Sequence, residues 1–133
     1  MRKNKYKTFI ILGAVALIIL AMFLVFRLQE DSWIKDERGV YVKHGNPSET
    51  PDYASIQMEV IECANDLYNN SRDEGLVFGS QCLGTCWDYA VDVVNVPRTA
   101  EDNLAENQCA DYIEGKASHF VELDSDGNII RIV

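Results

Sequence analysis

No charge interrupts residues 8–26, TFIILGAVALIILAMFLVF, whereas polar and charged residues recur throughout everything after Arg27. A helix over these 19 positions reaches ~28 Å, close to the ~30 Å hydrocarbon thickness of a bilayer. A helix apolar on every face has no partner in a domain this small, so the run reads as a transmembrane anchor. Beyond a polar tether, 27–32, Trp33–Lys35 and Val40–Val42 flank Asp36-Glu37-Arg38-Gly39 as a small hairpin. Residues 44–51, dense in turn residues, read as a loop. Ile56, Val60, Cys63 or Ala64, and Leu67 then recur at helical spacing. They predict a helix from Pro51 to Ser71, with Thr50 as its cap and Pro51 in the first position.

Residues 76–86 read as a glycine-punctuated loop carrying Cys82 and Cys86. From Trp87 to Val94 the alternation and the β-branched and aromatic content favour a strand, although Trp87, Val91 and Val94 also share a helical face. Thr99, with Asp102 in a capping box, opens a second expected helix whose apolar side is Leu104, Ala105, Cys109, Tyr112 and Ile113, closed by Gly115. Two strands, 118–123 and 129–133, meet at Asp124-Ser125-Asp126-Gly127-Asn128, where Asp-Gly marks a hairpin. The calcium-loop reading of that turn fails on spacing, since Gly127 comes fourth and no glutamate follows at the twelfth place. The expected fold is α+β: one N-terminal transmembrane helix, then a small disulfide-stapled domain with two helices against a short, mainly antiparallel sheet. Its divisions are a basic tail (1–7), signal anchor (8–26), tether (27–32) and extracytoplasmic domain (33–133).

Charge sets the orientation. Arg2, Lys3, Lys5 and Lys7 precede the span with no acid among them, while Glu30 and Asp31 follow it closely. The positive-inside bias keeps the N-terminus in the cytoplasm and carries the body across. The boundary Phe23-Leu24-Val25-Phe26-Arg27 lacks the small residues of a signal-peptidase site, so the anchor is expected to be retained in the cell membrane. Past the span, 8 basic residues face 21 acidic ones, a formal −13. Such a surface repels phosphate backbones and excludes nucleic acid as a partner. The partners expected are the bilayer, through residues 8–26, and an extracytoplasmic protein or glycan.

Cys63, Cys82, Cys86 and Cys109 all lie beyond the span, an even count that reads as two disulfides with three possible connectivities. Zinc would need closer pairing than one C-x₃-C, so no metal and no cofactor is expected. Asn69-Asn70-Ser71 is a glycosylation sequon, making Asn69 a candidate acceptor.

The stretch Gln81-Cys82-Leu83-Gly84-Thr85-Cys86-Trp87-Asp88-Tyr89-Ala90 resembles the nucleophile motif of papain-like cysteine proteases and the Gly-x-Cys-x-Asp-Tyr-Ala run of the transglutaminase-like fold. The latter resemblance implies a Cys-His-Asp triad, with Cys86 as thiolate and His119 as base. It departs from the family in three ways: residues 86–97 are too short for the family's helix, residues 129–133 supply no carboxylate, and a free Cys86 would leave three cysteines, one of them unpaired. Over the whole chain, Val42-Lys43-His44-Gly45-Asn46-Pro47-Ser48 and the Cys-Leu-Gly-x-Cys loop resemble uncharacterised single-pass proteins of small-genome archaea and bacteria, which implies no activity. The leading expectation is therefore a non-enzymatic surface module that binds a protein or glycan, with Trp33, Tyr41 and Trp87 as candidate contacts. A thiol enzyme using Cys86 and His119, or an accessory subunit joined to a membrane complex through its anchor, are the alternatives.

Overall fold

The uncharged run forms the middle of helix α1, Arg2–Glu30, in a computed structural model that describes residues 2–133 apart from the side chains of 2–5 and 27–30. Tyr6–Phe26 has mean hydropathy 3.2 and is long and apolar enough to cross a membrane, with every side chain exposed. The charges of Arg2, Lys3, Lys5 and Glu30, used above for orientation, lie outside the described side chains. The chain forms two compact units: residues up to Trp33 with Lys43–Glu49, and Ile34–Val42 with Thr50–Val133.

In the first unit, Trp33 Nε1 donates to the Glu49 carbonyl at 3.0 Å, and the Asp31 carboxylate accepts from Asn46 N–H at 2.9 Å. The expected small hairpin is present as β1, Ser32–Lys35, and β2, Tyr41–His44. Gly39 at its turn has φ +83°, and a Cβ there would come within 2.2 Å of the Ile132 carbonyl oxygen, so the position admits only glycine.

The second unit is built on α2, Asp52–Asp73, packed on one face of a four-stranded sheet ordered β3-β4-β5-β6. These strands are Gln81–Cys86, Tyr89–Val93, His119–Leu123 and Ile129–Ile132. Pro51 caps α2 with extended backbone rather than occupying its first turn, and Thr50 supplies no cap. The far end closes as a Schellman motif: Gly75, at φ +83°, donates to Arg72 O while Leu76 donates to Ser71 O. The buried stripe is Ala54, Gln57, Val60, Ala64 and Tyr68. It is rotated from the expected one, and Ile56 is left 52% exposed. Gln57 is buried because its amide bridges the hairpin, donating to Gly39 O and accepting from Tyr41 N. Val60, Ala64 and Tyr68 meet Val91, Val93, Val121, Leu123 and Ile132 in one core.

Two expectations need correcting. The segment expected to be loop, 76–86, holds β3, whose glycine is a packing device: Gly84 sits at a bulge, and a Cβ on it would press within 3.3 Å of the Leu67 methyls. The expected second helix is broken into two 3₁₀ turns, Ala100–Asn103 and Ala105–Asn107, and a single α turn, α3, Ala110–Ile113. Leu104 and Gln108 take extended backbone, and Cys109 is pulled to Cys82 by a disulfide. The capping box itself is real. Thr99 N and Oγ1 both donate to the Asp102 carboxylate, and the same carboxylate accepts from Asn95 N–H at 2.8 Å. Although burial works the other way, these hydrogen bonds hold the Asp102 carboxyl below the usual carboxylate range.

The sheet is mixed. β3–β4 and β5–β6 are antiparallel, while β4–β5 is parallel. A parallel neighbour needs a long crossover, and here residues 94–118 supply it. Its Cys109 and Ala117 pack on Ala90 and Phe120, which alternate with the core-facing residues of β4 and β5 and so mark the face opposite α2.

Candidate functional site

All four cysteines are paired, Cys63 with Cys86 and Cys82 with Cys109. Cys63–Cys86 ties α2 to β3 inside the core, where Cys86 is 1% exposed. Cys86 therefore presents no thiol to solvent in this form. His119 opens β5 and is separated from β3 by β4, both Cys86 and His119 being register partners of Tyr89. Its ring stacks on Tyr89 at 4.8 Å, Nδ1 lies 3.1 Å from the Val133 carbonyl, and Nε2 is 3.8 Å from the half-exposed Asp88 carboxylate. A histidine so placed is a wall of a groove, with β4 between it and Cys86.

That groove has a volume of about 310 Å³ and is framed by Tyr41, Tyr53, Tyr89 and His119, with Lys35 and the exposed Ile56 at its margin. Strand alternation turns Tyr41 of β2 and Tyr89 of β4 toward it, and the first turns of α2 add Tyr53 and Ile56. Tyr41 and Tyr53 rings lie 4.6 Å apart at 47°, and the Lys35 ammonium sits 5.1 Å over the Tyr41 ring. Burial, reinforced by the negative charge of Asp88, raises the Tyr89 hydroxyl above its ordinary pKa, so it is a neutral donor at physiological pH. Of the three aromatics expected to make contacts, the structure brings only Tyr41 here. Trp33 belongs to the other unit, bonded to Glu49 with Lys43 over its ring. Trp87 stands alone at the β3–β4 turn, 65% exposed and at φ +52°.

A second constellation lies on the sheet face opposite α2, and nothing in the motif pattern pointed to it. Asp92, Glu122 and Arg131 occupy register-paired positions on β4, β5 and β6. Glu122 is 5% exposed and fully engaged: Arg98 Nη1 and Arg131 Nη2 donate to Oε1, and Arg131 Nε donates to Oε2 at 3.1 Å. Phe120 lies under the Arg131 guanidinium at 4.7 Å. Asp92 has no such partners. Its Oδ1 is the one side-chain oxygen among the described residues that is closed to solvent and makes no hydrogen bond. Burial, then the charge of Glu122, pushes the Asp92 carboxyl up to about 7 against the pull of Arg98 and Arg131. The sequence signal was the polar member of each alternating pair, Asp92 between Val91 and Val93 and Glu122 between Val121 and Leu123.

Asn69 is exposed on α2. The carboxylate of Asp124 is taken by its own turn, accepting from Asp126 N, Asn128 N and Asn128 Nδ2, as a hairpin requires. Among the described residues no three His, Cys, Asp or Glu side chains are grouped to hold a metal ion. Comparison with protein-family models, with curated proteins and with solved structures finds no match to this chain.

Proposed function

We propose that the chain is a single-pass membrane protein with a cytoplasmic N-terminus, displaying an extracytoplasmic domain that binds glycan through the Tyr41–Tyr53–Tyr89–His119 groove. The topology rests on the exposed apolar helix Tyr6–Phe26, the four basic residues before it, and two disulfides beyond it that suit an oxidising compartment. The observation that carries the binding reading is the groove itself. Four rings converge around one concavity, with the Lys35 ammonium over the Tyr41 ring at its edge. Rings that are apolar in the face and wet at the tip offer large, rigid contact area at low entropic cost. Pyranose rings present the complementary surface, an apolar C–H face rimmed by hydroxyls.

The test is a titration of the full chain in nanodiscs with chitotetraose and cellotetraose, followed by tyrosine NMR resonances. Perturbation of Tyr41, Tyr53 and Tyr89 by either sugar, abolished by Tyr53→Ala, is the expected result. No response to either sugar, with a proline-rich peptide shifting the same resonances instead, would transfer the groove to a protein partner.

A further inference from the structure

The Asp92 cavity carries an inference independent of the groove. It measures about 180 Å³ and is lined by Ala90, Phe120, Tyr112 and the Cys109 end of a disulfide, with Asp92, Glu122, Arg98 and Arg131 along its polar side. A dry cavity of ~150 Å³ accommodates benzene, so there is room for a small organic body. The polar side is asymmetric. Glu122 spends both oxygens on the two arginines, whereas Arg131 reaches it through Nε and Nη2 alone, and Nη1 takes no part in that pair. Phe120 fixes the guanidinium plane from below, and Tyr112 meets Phe120 edge-on at 5.5 Å. Two cations, one committed anion and one carboxyl whose Oδ1 has no hydrogen-bond partner make an incomplete set.

We propose that this cavity binds a small monocarboxylate with a short apolar body, its carboxylate held between the Arg131 guanidinium and the Asp92 carboxyl while its body lies against Phe120 and Tyr112. An ammonium would enter a cavity whose two guanidiniums outweigh Glu122 while Asp92 is protonated, and which is only neutral once Asp92 ionises. A phosphate dianion would meet the buried Glu122 charge at close range. A monocarboxylate avoids both penalties and gives the Asp92 carboxyl a hydrogen-bond partner.

Protons then move with the ligand. The groups facing Asp92 are Glu122 from β5, Arg131 from β6, Arg98 from the segment after β4 and Tyr112 from α3. Asp111 of α3 is turned to Thr85 and Lys116, and β3 presents the disulfide-bonded Cys82 opposite. With Asp92 ionised these charges cancel, and with it protonated the cavity is cationic. Since Asp92 loses its proton near pH 7, binding is strong below that pH, takes up a proton above it and weakens as pH rises.

Sodium benzoate is the probe, titrated into the full chain in nanodiscs at pH 5.5 and pH 8.5. Phe120 and Tyr112 resonances should shift, with affinity on the order of tenfold weaker at the higher pH. Asp92→Asn, whose amide replaces the hydroxyl donor, should bind equally at both pH values. Arg131→Gln should bind at neither. The wild-type comparison decides the matter even if Arg131→Gln does not fold. Absence of benzoate binding at pH 5.5, affinity that rises with pH, or benzylamine binding that outcompetes benzoate at pH 8.5 would each overturn the proposal.

Discussion

Asp92 and Glu122 are direct register partners across the parallel β4–β5 ladder, yet one carboxylate is gripped by two arginines and the other has a buried oxygen with no partner. Like charges on neighbouring strands destabilise a sheet, and Arg98 and Arg131 relieve that repulsion for Glu122 alone. The folded state therefore holds a proton on Asp92 up to about pH 7, where the unfolded chain has released its own from pH 3.8 upward. Between those values the native state binds more protons, so stability is full below pH 3.8 and declines toward pH 7. Asp92→Asn removes the charge and keeps the shape. Urea unfolding of the full chain in detergent should show the variant more stable at pH 8 by on the order of 2 kcal/mol, with the gap closing at pH 4. Equal stability at both pH values would mean that Asp92 ionises as freely in the fold as out of it.

How far the pattern of residues reached differs from segment to segment. The apolar run, helix α2 and the Asp-Gly hairpin each follow from a strong local signal and lie where they were expected, although the buried face of α2 is rotated. The loop expected at 76–86 is a strand, because Gly84 answers to a contact with Leu67, seventeen residues earlier in the chain. Local reading sees the glycine and not the neighbour that demands it. The helix expected over 99–115 had a correct cap, but of its expected apolar side only Cys109 is buried, while Leu104, Ala105, Tyr112 and Ile113 stay exposed, and Cys109 is drawn to Cys82 of β3 by a disulfide that no local pattern shows. The charged row was invisible for a related reason: Asp92, Glu122 and Arg131 are neighbours only through strand order.

The disulfides should be separable in strength by what surrounds them. Cys63–Cys86 closes a separation of 23 residues and Cys82–Cys109 one of 27, so loop entropy assigns each ~3 kcal/mol. Cys63–Cys86 is also part of the central core with Val60, Ala64 and Val91, whereas Cys82 is exposed. The Cys63→Ala/Cys86→Ala pair should therefore lower stability by more than Cys82→Ala/Cys109→Ala, the excess being a packing loss of about 1 kcal/mol. Thermal unfolding of the two double variants measures the difference, and peptide mass spectrometry without reduction checks the pairing.

Trp87 occupies left-handed backbone at the tip of the β3–β4 hairpin, a conformation that disfavours bulky side chains by ~1–2 kcal/mol. Its ring is 65% exposed, so little burial offsets that strain. Asp88 beside it anchors the turn, its carboxylate accepting from Ser118 N–H and its carbonyl from His119 N–H. Trp87→Gly should raise stability by about 1 kcal/mol, read as an increased urea midpoint at unchanged slope. A loss of stability would show that the indole packs against something that compensates for the backbone.

Gly127 shows the opposite economy, in which a side chain is excluded. It turns the β5–β6 hairpin at φ +83°, and a Cβ there would fall 2.7 Å from the Tyr68 ring. Tyr68 cannot retreat cheaply, since it stacks on Phe78 at 4.4 Å and donates its hydroxyl to Ser125 O at 2.9 Å. Gly127→Ala should cost more than the ~1 kcal/mol of backbone strain alone, and Gly127→Ala with Tyr68→Phe should recover none of it, because the clash is with ring carbons.

The anchor makes the most exposed prediction, because it concerns both insertion and direction. Residues 6–26 hide no face against protein, so each side chain would meet lipid in a single-pass arrangement. A charge near the middle, Leu17→Arg, should then cost ~2.5–3.5 kcal/mol of insertion free energy and shift the chain from the alkali-resistant membrane fraction toward the soluble one. Direction is read by protease protection. Translated into microsomes, residues 33–133 should resist added protease until the membrane is lysed, and Asn69 should gain an endoglycosidase-sensitive sugar that Asn69→Gln lacks. Replacing Arg2, Lys3, Lys5 and Lys7 by glutamate should send a fraction of chains the other way, leaving their bodies open to protease and their cysteines reduced. A body digested outside intact microsomes in the unaltered chain would remove the compartment in which its disulfides form.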